Sequence, residues 1–384
     1  MMAPTPVRCP AIEHPDVPPA DPAALDPLLA RLAEGAPPEA DEGFPLGTLR
    51  RDGRVDLCKR GLGAAGVARL VPAAAASPHA AHLLLGTNAM GDAGARAIAG
   101  ALAPGHGVRT LYLGCNRVGA DGAAALAGRL ASDTRVRALW LKRNPVGDAG
   151  ASALAAMLRT NQTIRTLDLV NTGVGTAGLR ALRDALAARE APLERLFLGG
   201  NGLGPDAADL LAALLRDAGV RELYVPVNHL GDGGAAILAD AADAADAACA
   251  AGRPVRLGLG GNGVGPAGAR ALAAALGGIE ALDLGRPPSE RALGAPPNAT
   301  GDEGAAALAE ALPGSPIRRL ELRHSGVTGR GAKALLARVG DGTRLEHLGF
   351  GPGVPRRIKR AAAGFLRPAA RAHPDMRAIV SVYR

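Results

Sequence analysis

A sixteen-residue pattern of apolar and small residues recurs along the chain at a fixed interval. It reads LYLGCNRVGADGAAAL from Leu111, LWLKRNPVGDAGASAL from Leu139 and LDLVNTGVGTAGLRAL from Leu167, each starting 28 residues after the one before. We take the second leucine of the pattern as its marker position. The eleven markers are Leu57, Leu85, Leu113, Leu141, Leu169, Leu198, Val225, Leu259, Leu284, Leu322 and Phe350. Units at this spacing indicate a repeat architecture.

Each unit predicts a strand, a turn and a helix. The L-x-L portion alternates at period two, so both leucines face inward and the residue between them faces outward. Three residues after the marker a polar side chain recurs, and a buried amide there can bond the backbone of the turn and of the next unit. These positions are Asn88, Asn116, Asn144, Asn201, Asn228 and Asn262, with Thr172 and Ser325 as replacements.

The stretch after the turn predicts a helix. GARAIAGAL from Gly94 has apolar residues at helical spacing, and acids stand where helices begin. These acids, which the positive end of a helix dipole favours, are Asp92, Asp121, Asp148, Asp232 and Asp302. Because one unit cannot bury both its leucines and its helix face, the units must stack, strand beside parallel strand.

The repeat resembles the leucine-rich repeat family, specifically its ribonuclease-inhibitor type, and the resemblance covers roughly four fifths of the chain. It implies an α/β fold: a right-handed solenoid, or horseshoe, of about eleven repeats. The parallel sheet would lie on the concave face and the helices on the convex face. The resemblance also implies a non-enzymatic scaffold that binds a partner protein on its concave face.

Four segments are expected. Residues 1–20 are Pro-rich and predicted to be disordered, and residues 21–53 form an N-terminal cap with leucines at helical spacing. Residues 54–354 form the repeat domain, and residues 355–384 form a basic C-terminal cap with a closing helix and a last strand near AIVSVY. An insertion at 286–297 separates Leu284 from Asn298 and is either a recognition loop or a tolerated loop.

Charge is unevenly distributed along the 384 residues. The net charge is +8; residues 1–50 carry three Arg against eight acids, and residues 351–384 carry eight basic residues against Asp375 alone. The basic end could attract nucleic acid, but it contains no base-reading motif. Arg-rich and Ala-rich composition is also what a GC-rich genome produces. We therefore expect no nucleic-acid partner.

Candidate chemistry is sparse. Gly61–Gly66, Gly173–Gly178 and Gly263–Gly268 match the dinucleotide fingerprint, but they recur in step with the repeat and are interpreted as its turns. The four cysteines are far apart without a C-x-x-C pair, which argues against a zinc site and against a disulfide scaffold. We expect no enzyme activity, cofactor, metal or small-molecule substrate. No apolar run suggests a signal peptide or membrane span, and we expect a cytoplasmic monomer.

The outward position before each marker carries the functional signal. Four of the chain's eight aromatic residues occupy this one column. In order the column reads Asp56, Leu84, Tyr112, Trp140, Asp168, Phe197, Tyr224, Gly258, Asp283, Glu321 and Gly349. Aromatic side chains dominate binding hot spots, whereas β-propensity alone would spread them over all rows. We predict an exposed partner-binding patch formed by Tyr112, Trp140, Lys142, Asp168, Arg195, Phe197, Glu222 and Tyr224.

Two alternatives to this function stay open. A Ran GTPase activator has the same repeat type, so a GTPase-activating protein is the second hypothesis, although no residue motif carries that function across. The third is nucleic-acid binding through the basic C-terminal segment. Gly258 and Gly349 lie in the same column beyond the aromatic residues, and alanine at either position is expected to affect partner binding much less than truncation of an aromatic residue.

Overall fold

The computed structural model describes residues 6–8, 18–247, 252–287, 290–340 and 342–382, and the chain is an α/β solenoid. It divides into two compact units. The first contains Val7–Leu193 together with Ala372–Arg384, and the second contains Met1–Pro6 and Glu194–Arg371.

The first unit contains a seven-stranded sheet in chain order. Its strands are β1 (Glu42–Phe44), β2 (Gly47–Leu49), β3 (Arg54–Asp56), β4 (His82–Leu84), β5 (Thr110–Tyr112), β6 (Ala138–Trp140) and β7 (Thr166–Asp168). The first three strands pair antiparallel, and β3 to β7 pair parallel. The helices between them are α1 (Asp26–Ala33), α2 (Gly63–Ala76), α3 (Gly91–Ala101), α4 (Ala120–Leu130), α5 (Gly147–Thr160) and α6 (Thr176–Ala187).

The second unit continues the alternation with six parallel strands. They are β8 (Arg195–Phe197), β9 (Glu222–Tyr224), β10 (Val255–Gly258), β11 (Ile279–Asp283), β12 (Arg319–Leu322) and β13 (His347–Phe350). Its helices are α7 (Ala208–Arg216), α8 (Gly231–Ala247), α9 (Pro266–Ala274), α10 (Gly301–Ala311), α11 (Gly329–Arg338) and α12 (Arg356–Ala363). Short 3-10 turns at Pro22–Leu25, Pro205–Ala207 and Leu276–Gly278 precede α1, α7 and β11.

The predicted strand at each marker is confirmed, with β3 to β13 ending at or beside the eleven marker residues. The flanking residues Leu111 and Leu113 are completely buried, as the period-two pattern predicted. Because the register is constant, the column residues align from strand to strand: Leu84 lies beside Tyr112, which lies beside Trp140. In the second unit Phe197 lies beside Tyr224 in the same way.

The asparagine after each strand joins two repeats. Asn144 Nδ2 donates to the carbonyls of Leu113 and Leu141, both at 2.9 Å, and its Oδ1 accepts from the backbone N–H groups of Asn116 and Val118 at 2.8 and 3.1 Å. The same arrangement recurs at Asn88, Asn228, Asn262 and Asn298. One side chain thus satisfies buried backbone groups of two consecutive repeats.

The five acids lie in the first turn of their own helices as predicted, and four of them also accept hydrogen bonds from N–H groups of the next helix. Asp148 Oδ1, in α5, accepts from the N–H groups of Gly175 (2.7 Å) and Gly178 (2.9 Å) at the start of α6. Equivalent contacts link Asp92 to α4, Asp232 to α9 and Asp302 to α11. A Cβ at Gly178 would lie 2.6 Å from Asp148 Oδ1, so this position requires glycine.

The insertion after β11 leaves the asparagine arrangement intact. Asn298 donates to the carbonyls of Leu259 and Leu284 at 2.9 and 3.0 Å, although fourteen residues separate Leu284 from Asn298. Within the loop Glu290 is buried and pairs with Arg286 at 3.0 Å. The loop therefore leaves and rejoins the repeat without disturbing the sheet.

The N-terminal end differs from the prediction. We expected a helix to cover the edge of β3, but the hairpin β1–β2 pairs with that edge, with Leu49 beside Val55, while α1 packs against α2. Within the segment 1–20 predicted to be disordered, residues 6–8 and 18–20 contact turns of the repeats. Arg8 N donates to Asn171 Oδ1 at 2.8 Å and Ala20 N to the Gly61 carbonyl at 2.9 Å. The rest of 1–20 lies outside the described residues.

The C-terminal end also differs. The predicted closing helix is α12, which packs against α11 and β13. The prediction of a last strand over the final repeat was wrong: the AIVSVY stretch follows the short helix α13 (Pro374–Ala378) as turns through residue 382 and belongs to the first unit.

Replacing Asn144 by alanine should lower the free energy of unfolding by about 1 to 3 kcal/mol, because buried backbone groups of two repeats lose their partner. Urea unfolding followed by circular dichroism measures this. Arg159→Ala, on the exposed side of α5 in the same repeat, is the control and should change stability by less than about 0.5 kcal/mol. If Asn144→Ala and Arg159→Ala unfold at the same urea concentration, the Asn144 amide does not stabilise the two repeats that it joins.

Candidate functional site

The predicted patch residues of the first unit are buried. Trp140 and Asp168 have no exposed surface, Tyr112 is 5% exposed and Lys142 is 8% exposed. The prediction that these side chains are open to solvent was wrong. They lie side by side on neighbouring strands as predicted, but another part of the chain covers them.

Residues 372–382, here called the C-terminal segment, cover this part of the sheet. Thr166 Oγ1 donates to Asp375 Oδ2 at 2.9 Å beside β7, and Ser381 Oγ donates to Asp56 Oδ2 at 3.1 Å beside β3. The Tyr112 hydroxyl makes a longer contact of 3.5 Å with the Val382 carbonyl. The segment therefore crosses the outward face from β7 to β3.

The electrostatics beneath the segment centre on Asp168. Its Oδ1 accepts from the Val170 N–H at 2.9 Å. Burial raises the pKa of Asp168 to about 6, and the positive charges of Lys142 and Arg143 oppose this shift only in part. Burial likewise lowers the pKa of Lys142, an effect that Asp168 opposes. The Lys142 ammonium lies 5.9 Å from the centre of the Tyr112 ring.

A residue of the second unit shows that the turn alone does not bury Asp168. Asp283 occupies the same column position and its Oδ1 also accepts from the N–H two residues later, Gly285, at 2.9 Å. Asp283 is nevertheless exposed, whereas Asp168 is not. Asp168 lies beside Trp140 on β6, whereas Asp283 lies beside Gly258 on β10, so the neighbouring side chain differs at the two positions, as does the presence of the C-terminal segment, which crosses the first unit.

The other half of the predicted patch lies in the second unit, on β8 and β9. The rings of Phe197 and Tyr224 stack with their centres 4.8 Å apart and their planes 9° from parallel. The Tyr224 hydroxyl donates to Glu222 Oε2 at 3.3 Å, and Arg195 Nε lies 2.9 Å from Glu222 Oε1. Burial, followed by the Glu222 charge, raises the pKa of Tyr224. Phe197 is buried and Tyr224 half-buried.

Gly258 and Gly349, the two glycines of this column beyond the aromatic residues, lie under side chains of the preceding strands. A Cβ at Gly258 would lie 2.6 Å from Cδ1 of the Tyr224 ring, and one at Gly349 would overlap the Glu321 carboxylate. Alanine at Gly258 would therefore displace a candidate site residue, whereas alanine at Gly349 would displace Glu321, which is not part of the predicted patch.

Sequence reasoning missed a row of alternating charges across the second unit. Successive ion pairs measure 2.9 Å (Arg195–Glu222), 3.7 Å (Glu222–Arg256), 2.9 Å (Arg256–Glu280), 3.6 Å (Glu280–Arg318) and 2.6 Å (Arg318–Glu346). These residues stand two positions before the column residue of β8, β9 and β10 and three positions before that of β11, β12 and β13, so no single position of the repeat shows the alternation.

Other kinds of site find no support in the described residues. They contain no group of three or more His, Cys, Asp or Glu side chains that could hold a metal ion. The N–H groups of Gly175 and Gly178, which a nucleotide phosphate would need, are bound by the Asp148 carboxylate. Among the described helices none is both long and apolar enough to cross a membrane.

The structure describes two cysteines. Cys58 is a free thiol whose Sγ accepts from the Gly86 N–H at 3.2 Å, and burial raises its pKa. Cys115 is disulfide-bonded. One such bond is not the disulfide scaffold against which the cysteine spacing argued.

Comparisons with known proteins agree with the fold. A leucine-rich repeat family model matches residues 108–127, 134–155 and 160–182. The crystal structure of the yeast Rad7 and Elc1 complex is similar at a TM-score of 0.52 and 15% identity, over 82% of this chain and 73% of that one. No curated protein matches the chain. The family matches and the eleven aligned strands support a leucine-rich repeat protein.

Two further solved structures share a smaller part of the fold and carry no argument about function. The actin-binding site 2 of leiomodin-1 has a TM-score of 0.28 and 21% identity, over 32% of this chain and 71% of that one. The tropomodulin C-terminal domain of Caenorhabditis elegans has a TM-score of 0.31 and 18% identity, over 40% and 90% respectively.

Asp168→Asn should flatten the pH dependence of stability between pH 4 and pH 6. The pKa of Asp168 is about 6 in the folded state and about 4 when unfolded, so the folded chain binds more protons in this window. This group therefore destabilises the fold progressively as pH rises, by up to about 3 kcal/mol above pH 6. Urea unfolding at pH 4, 5, 6 and 7 measures the difference between the variant and the unmodified chain.

Comparing variant and unmodified chain removes the contribution of other carboxyls. Glu321, for example, acts in the opposite sense: although burial alone would raise its pKa, hydrogen bonds from His347 and Arg323 hold it at about 2. Asp209→Asn, at an exposed position on α7, is the control. Parallel stability curves for Asp168→Asn and the unmodified chain would show that the Asp168 carboxyl is not buried.

Proposed function

We propose that this protein is a non-enzymatic scaffold that binds another protein on the outward face of its parallel sheet. The observation that carries the proposal is the C-terminal segment itself. The outward face of the first unit already binds a short stretch of polypeptide there, through hydrogen bonds from Thr166 and Tyr112 and burial of Ile379. A face that binds one polypeptide segment in this way is suited to binding a segment of another protein.

The second unit offers a different surface, on which aromatic and charged side chains lie together. Tyr224, half-buried, combines an apolar ring with a hydroxyl that bonds Glu222, and such amphipathic aromatic residues are enriched at interface hot spots. The exposed Asp283 lies two strands away. We assign partner binding in this unit to Arg195, Phe197, Glu222 and Tyr224.

We further propose that the repeats are of the ribonuclease-inhibitor type. The protein would be a monomer with no nucleic-acid partner. We also retain the cytoplasm as the working location. No specific observation favours the alternative that the protein activates a GTPase.

Tyr224→Ala should weaken partner binding about 30-fold to 1000-fold, the range expected when a central aromatic anchor worth 2 to 4 kcal/mol is removed. The partner is first captured from a lysate of producing cells with the unmodified chain and identified by mass spectrometry. Calorimetric titration of the purified partner then compares the two proteins. Tyr224 is preferred to Trp140, because Trp140 is fully buried and its truncation would cost about 3 to 5 kcal/mol of stability.

Asp283→Asn is the matched control, since it lies in the same column of the same unit and keeps the acceptor for Gly285. Its affinity should stay within about threefold of the unmodified chain. If Tyr224→Ala also binds within threefold, the aromatic residues are ordinary sheet surface and the proposed site is wrong.

A further inference from the structure

The outward face of the first unit has a bound segment whose side chains divide into a docked side and a free side. Asp375, Ala378 and Ile379 are buried, whereas Arg377 is exposed and Val380 is 67% exposed. Positions 375, 378 and 379 lie on one face of a helical turn. The segment thus contacts the sheet as a short amphipathic peptide would.

The polar contacts of this face favour a bound segment with an acidic residue at the start of its helical turn. Asp375 accepts from Thr166 Oγ1 at 2.9 Å, and the His373 side chain caps the turn by accepting from the Asp375 N–H at 3.2 Å. The hydrogen bond from Thr166 and the cap by His373 therefore favour an acidic residue at this position of a bound segment.

The segment is tethered to the surface that it covers. Residues 367–372 contain neither helix nor strand, and Arg367 N donates to the Leu345 carbonyl at 2.8 Å while Ala370 N donates to Glu346 Oε2 at 3.0 Å. A tethered ligand of this kind acts at an effective concentration of about millimolar, which a partner segment with better contacts can exceed.

We infer that the outward face of the first unit is a binding surface for a short partner peptide with an acid at the first turn of a helix and an aliphatic residue four positions later. Residues 372–382 occupy this surface in cis and mimic that peptide, so the partner segment and the C-terminal segment compete. This inference rests on the proposed function and specifies its ligand for the first unit.

The test uses a fluorescein-labelled synthetic peptide of residues 372–382, titrated against full-length proteins and followed by anisotropy. Ile379→Glu places a charge at the fully buried position and should release the tethered segment. The labelled peptide should then bind this variant with a half-saturation concentration at least about tenfold lower than the unmodified chain. Val380→Glu changes the exposed neighbour and should behave like the unmodified chain.

Two further measurements complete the design. Hydrogen exchange at residues 374–382 reports release of the tethered segment and should be faster in Ile379→Glu alone. Labelled peptides carrying the Asp375→Lys or the Ile379→Glu change should not bind the opened protein. If Ile379→Glu fails to fold, Asp375→Lys in the full chain releases the segment through the polar contact and replaces it in the comparison.

Three results would overturn the inference: no release in the variants, no peptide binding after release, or equal binding of the altered peptides. These outcomes are distinct from failure of the proposed function, which is decided by the Tyr224→Ala titration. Peptide binding here with no effect of Tyr224→Ala would reject the second-unit site alone, and the reverse pattern would reject this inference alone.

Discussion

A buried side-chain amide that hydrogen-bonds two consecutive repeats is the interaction on which the sheet depends. Each turn leaves backbone N–H and carbonyl groups inside the stack, where they must find partners. Asn144 provides two donors and one acceptor at the point where two such turns meet. Where the repeat has Thr172 or Ser325 instead, a hydroxyl donates to the carbonyl of its own marker residue, Leu169 or Leu322.

Regular spacing of these turns has a direct functional consequence. Because every strand starts at the same register, residues one position before the markers form a continuous column on the outward face. In the first unit this column and its neighbours bind the C-terminal segment; in the second unit they place Phe197 against Tyr224 and Glu222 against Arg195. The same geometry that stabilises the stack therefore builds two separate surfaces of different chemistry.

Local periodicity predicted the fold because each repeat is stabilised by contacts one unit away. The strands, the asparagine positions and the column of outward residues all follow from that short-range pattern. The burial of Trp140 does not, because it depends on residues more than 230 positions later, beyond any repeat of the sequence. The hairpin β1–β2 was missed for a different reason: residues 42–49 lie before the first repeat and do not carry its pattern.

The charges were predictable in part. The aromatic column and Asp168 could be read from the repeat, but the row from Arg195 to Glu346 shifts from two to three residues before the column, which hid its alternation. The sequence does not show that neighbouring side chains lie over Gly258 and Gly349, because that depends on how the side chains of the preceding strands are oriented.

Acrylamide quenching of Trp140, the chain's single tryptophan, most directly tests the claim that the C-terminal segment covers the outward face of the first unit. A close-packed environment excludes the quencher, so the Stern–Volmer constant of the unmodified chain should be about fivefold or more below that of a free tryptophan analogue. It should rise toward that of the analogue in Ile379→Glu. A constant near that of the analogue in the unmodified chain, or no change in the variant, would contradict the account.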